Sequence, residues 1–170
     1  MRKLKLTQTA LAGWHDVVVE AQKASQILLP EDAEHYLVSL LLRYTDQPQF
    51  VNNIIGRLCL ESLQQKPKKQ QQSLRVVGDQ CLLFAGLFPD IATRRQVSVD
   101  YYLDIGKGAY QQISGLERTV AAELYQELAI HFHCMASILQ TLRHLSDEDK
   151  PTNPNLEAIW QNLDSSLNQH

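Results

Sequence analysis

The sequence predicts an all-α protein, a single irregular bundle of six or seven helices with one long helix over about 116–145. Three observations lead there. Apolar residues return every third or fourth position through most of the 170 residues, which is the spacing of one helix face. Only seven Gly and six Pro occur, too few for a sandwich that turns every few residues. No segment repeats at a fixed period, which counts against a solenoid. With 44% hydrophobic and 21% charged residues the composition is that of a folded globular protein rather than a disordered one. The expectation is one helical domain over 1–170, with flexible ends at about 1–7 and 165–170 and an exposed connection at about 64–72.

The elements follow in order. Leu11, Trp14, Val18, Ala21 and Leu28 mark a first helix between Thr9 and Leu28, despite the β-branched run Val17, Val18 and Val19. Pro30 suits a first helical position, and Glu31 and Asp32 suit the positive end of the helix dipole. A second helix therefore starts there, with Ala33, Leu37, Leu40, Leu41 and Tyr44 facing inward, and stops ahead of Pro48. A third carries Phe50, Ile54 and Leu58. Residues 64–72 hold no apolar side chain and belong on the surface, as a connection or a frayed helix end. Leu74, Val77, Cys81, Phe84 and Phe88 then define a central helix closed by Pro89. Ser98 can cap the next helix, with Val97 and Tyr102 as a staple and Gly115 as terminator. Leu116, Val120, Leu124, Leu128, His131, Met135, Ile138, Leu142 and Leu145 form one stripe. A helix of that length covers about 45 Å and must span the molecule or kink. Asn155 caps a last helix with Leu156, Ile159, Trp160 and Leu163.

Composition also bounds the setting. Cys59, Cys81 and Cys134 cannot all pair within the chain and lie among apolar residues, so they read as reduced, buried thiols. The basic start, Arg2, Lys3 and Lys5, is followed by Thr7, Gln8 and Thr9, which interrupt any apolar signal core. No run is apolar enough to span a membrane, so the expected location is the cytoplasm. The net charge of −3 excludes a globally basic protein.

Candidate chemistry is sparse, and each candidate has a structural reading beside it. Glu31 with His35, and Glu127 with His131, share helix faces at four-residue spacing, but di-iron bundles place Glu and His three apart. His131, His133 and Cys134 could be ligands, yet the two imidazoles point about 200° apart on one helix. Lys107, between Gly106 and Gly108, lacks the hydroxyl residue and glycine spacing of a phosphate loop. Glycines inside a helix instead suit the close approach of a second helix. Gly78 and Gly86 on the central helix suit that role from the other side, and Tyr102, Gly106 and Tyr110 make a face with a groove between aromatic walls. Asp79 sits among apolar neighbours and calls for an ion pair with Arg75 or a tyrosine hydroxyl. Lys66, Lys68 and Lys69, joined at a distance by Arg94 and Arg95, have no aromatic residues interleaved to stack bases.

The segment from Leu74 to Pro89, with its Gly78-Asp79, Phe84, Gly86 and Phe88-Pro89, and the segment from Tyr101 to Tyr110 together resemble an uncharacterised family of bacterial all-helical proteins. The resemblance extends over about two thirds of the chain, taking in Tyr36, Leu37 and Val38 upstream and Glu127, Leu128 and Phe132 downstream. It implies a bacterial helical protein and carries no activity, cofactor or partner. It groups Gly78, Asp79, Gly86, Tyr101, Tyr102, Gly106 and Tyr110, and with Lys107 from the groove these form one candidate constellation.

The functional expectation is a non-catalytic cytoplasmic protein that binds a protein partner or itself, with no cofactor, no membrane and no nucleic-acid partner. The alternative is an enzyme, or a small-molecule or metal-binding protein, with its site near Asp79, Tyr102, Lys107 and Tyr110. A third reading, a nucleic-acid-associated regulator, needs Lys66, Lys68, Lys69, Arg94 and Arg95 on one face.

Overall fold

A computed structural model describes residues 2–46, 61, 64–89, 98–116 and 120–148. Among the described residues there are six α-helices and no strand, so the fold is all-α. They are α1 (Arg2–Ser25), α2 (Glu31–Asp46), α3 (Pro67–Leu87), α4 (Val99–Leu116), α5 (Val120–Ile130) and α6 (Phe132–Glu148). The helices expected around Phe50 to Leu58 and around Leu156 to Leu163 lie outside the described residues, as do Cys59, Arg94, Arg95 and Val97. The chain divides into two compact units, one of Asn53–Gln140 and one of Met1–Asn52 with Thr141–His170.

In the first of these units α3 is the axis. Its opening turns, from Pro67 through Gln72, are polar and mostly exposed, and the helix begins at Pro67 after an extended Lys66. The stretch expected as a surface connection is therefore largely the solvated start of this helix. Proline fits there because a first-turn residue has no intrahelical acceptor to reach. Ser73 Oγ donates to Gln65 Oε1 at 2.7 Å and ties the start down. From Val77 to Phe88 every residue is buried, as expected of a helix surrounded on all sides. At its end, Gln140 of α6 donates to the Ala85 carbonyl at 3.1 Å, one of the terminal carbonyls that lack an intrahelical partner. Ser98 caps α4, its Oγ accepting from Tyr101 N–H at 3.1 Å.

The long stripe is split. Leu116 belongs to α4, and the rest runs in two segments, α5 and α6, that meet in a turn at His131. The ladder continues across it, with His131 N–H on Glu127 O at 3.0 Å and Met135 N–H on His131 O at 2.9 Å. The turn falls immediately before Phe132, which is fully buried, while Ile130 on the other side is 66% exposed.

In the other unit, α1 and α2 form an α-hairpin. Trp14, Val18 and Ala21 of α1 are buried, and so are Ala33, Leu37, Leu40, Leu41 and Tyr44 of α2. Leu28, expected on the buried stripe, is 89% exposed, and Leu29 takes the inward place. The reason is that α1 already ends at Ser25. Gln26 turns left-handed at φ 59°, Gln26 N–H bonds Lys23 O at 3.3 Å and Ile27 N–H bonds Gln22 O at 3.2 Å. That pair of bonds is a Schellman cap, usually built on glycine. A left-handed residue other than Gly or Asn costs about 1–2 kcal/mol. Gln26→Gly is therefore expected to stabilise the protein by about 0.5–1 kcal/mol after its greater chain entropy is deducted. A higher urea midpoint with an unchanged slope is the readout.

Candidate functional site

The candidate constellation is brought together only in part. Tyr110 of α4 is fully buried and donates from its hydroxyl to Asp79 Oδ1 of α3 at 2.6 Å. Arg75 Nε, one turn earlier on α3, stands 3.8 Å from Asp79 Oδ2. A buried carboxyl needs such partners, since stripping it of water without them costs several kcal/mol (about 3–5 where a buried pair is broken). The Tyr110 ring lies across Gly78: a Cβ there would meet Tyr110 Cδ1 at 2.6 Å. It also stacks at a tilt on Tyr125 of α5, centroids 5.4 Å apart, and edge-on to Phe132 of α6 at 5.5 Å.

Gly106 is the second close approach. A Cβ on it would come to 2.7 Å from Cys81 Cβ of α3 and 3.0 Å from Phe132 Cε2 of α6. The groove expected between Tyr102 and Tyr110 is thus occupied by the protein itself. Gly86 was expected to face the same partner as Gly78, but it meets α6, where a Cβ would lie 2.9 Å from Leu139 Cδ1 and 3.2 Å from Ala136 O. Eight residues at 100° each leave the two glycines about 80° apart around α3, enough to serve different neighbours. Gly108, also expected at a helix contact, has nothing within 4 Å of its Cβ position. It is offset by about 200° from Gly106 and faces away.

The remaining members do not join Asp79. Tyr102 is buried against Phe84 at 5.5 Å, Tyr101 is exposed and edge-on to Tyr102, and Lys107 is half-buried. Lys66, Lys68 and Lys69 are exposed at the start of α3. Glu31 and His35 are an exposed pair at 3.9 Å. Glu127, His131 and Cys134 are half-buried, and His133 is exposed. Among the described residues no three His, Cys, Asp or Glu side chains are placed to hold a metal ion.

The α-hairpin holds what the periodicity did not mark. Between α1 and α2 lies an open cavity of about 570 Å³ with Leu11, Ala12 and Val38 as its apolar floor and His15, Asp16, His35 and Ser39 around them. Behind it, buried Gln22 fastens the two helices: its Nε2 donates to Glu34 Oε2 at 2.7 Å and its Oε1 accepts from Leu29 N–H at 2.9 Å. His15 Nε2 meets the other Glu34 oxygen at 3.0 Å. The available signal was position, because Gln22 falls one turn after Val18, on the face that carries Trp14 and Val18 inward.

No protein-family model, curated protein or solved structure matches the chain.

Two measurements follow from the seam. Gly106→Ala is expected to destabilise by about 1–3 kcal/mol through overpacking. Gly108→Ala, two residues along, should stabilise by up to about 1 kcal/mol. Urea midpoints that move in the same direction for both variants would show that α4 does not pack by that face. Tyr110→Phe should cost about 1–3 kcal/mol by removing the hydroxyl that donates to the buried Asp79 Oδ1. Adding Asp79→Asn should then cost less than the sum of the two single changes, read as a double-mutant cycle.

Proposed function

We propose that this chain is a non-catalytic cytoplasmic protein that acts by binding another protein chain, and that the groove between α1 and α2 is its docking surface. The observation that supports this most is the contrast between two clusters. The residues that suggested chemistry, Asp79 and Tyr110, bond to each other beneath packed aromatic rings. The α-hairpin instead presents an apolar floor to the outside, with Leu11 43% exposed beside a cavity of about 570 Å³. Exposed apolar surface rimmed by polar groups is the usual character of a protein interaction site.

The alternative of a small-molecule or metal site near Asp79, Tyr102, Lys107 and Tyr110 gains no support from this geometry, because Tyr102 packs on Phe84 while Asp79 and Tyr110 satisfy one another. No helix among the described residues is long and apolar enough to cross a membrane.

A photo-activated crosslinker placed at Ser39, in the cells the protein comes from, is expected to trap a discrete protein adduct that Leu11→Glu removes. The same crosslinker at exposed Asp104 of α4 is not expected to trap it. Absence of an adduct at Ser39, or the same adduct at both positions, overturns the reading.

A further inference from the structure

We draw no further inference here: the strongest candidate, the apolar furrow between α1 and α2 floored by Leu11, Ala12 and Val38, belongs to the docking surface already described, and nothing in the structure shows what covers it.

Discussion

The constraint on which the helical core of residues 53–140 depends is steric: α3 can be enclosed only because its neighbours come closer than side chains normally allow. Gly78 admits the Tyr110 ring of α4, Gly86 admits Leu139 of α6, and Gly106 on α4 admits both Cys81 of α3 and Phe132 of α6. Between them the three glycines remove a Cβ at each of the pairs α3–α4, α3–α6 and α4–α6, and together they close that triangle. An interior packed at crystal-like density leaves little slack to relieve an added methyl at any of the three. Glycine lowers intrinsic helix stability by about 1 kcal/mol per residue. Such residues persist in a helix when the packing they permit outweighs that loss.

Within the same seam, Asp79 and Tyr110 add direction to what would otherwise be shape alone. Apolar side chains accept many near-equivalent registers, whereas a buried carboxyl bonded at 2.6 Å to one hydroxyl accepts one. A shift of α4 by a turn would move Tyr110 off Gly78 and leave the carboxyl without the hydroxyl in the same step. The polar pair and the glycine thus specify one arrangement by independent means. The carboxylic acid that looked like chemistry in the sequence serves the register of two helices.

Most of the helices were legible in the spacing of their apolar residues. The stripes of α2 and α3 are buried where periodicity places them, and the Ser98 cap holds as its hydroxyl and position suggested. The start of α3 was not legible because Pro67 to Gln72 hold nothing apolar, and a helix turn surrounded by water leaves no periodic trace. The turn at His131 was hidden for the opposite reason: hydrogen bonds and apolar rhythm both continue through it. At the candidate site, the use of Gly78 and Gly106 in close packing could be read, since Gly106 lies between Tyr102 and Tyr110 on one face. The different partners of Gly86 and the open setting of Gly108 follow from helical angle, which residue type alone does not convey. Gln22 escaped notice because its composition is that of a surface residue, and only the burial of its face reveals it.

The two units solve the same packing problem by different means, and the difference bears on function. Around α3, glycines let backbone and side chain interlock, and aromatic rings fill what remains. The α1–α2 pair is fixed at one end instead, through the αL cap at Gln26 and the side chain of Gln22. Helices fastened at their connection need not be pressed together along their whole length, so a furrow can stay open beyond the fastening without loss of order in the hairpin. Leu11 and Ala12 lie on that open stretch, about four turns from the cap. A surface of this kind is preformed before anything covers it. Interlocked packing, as around α3, would have closed the furrow with the protein's own side chains and left nothing for a partner to cover.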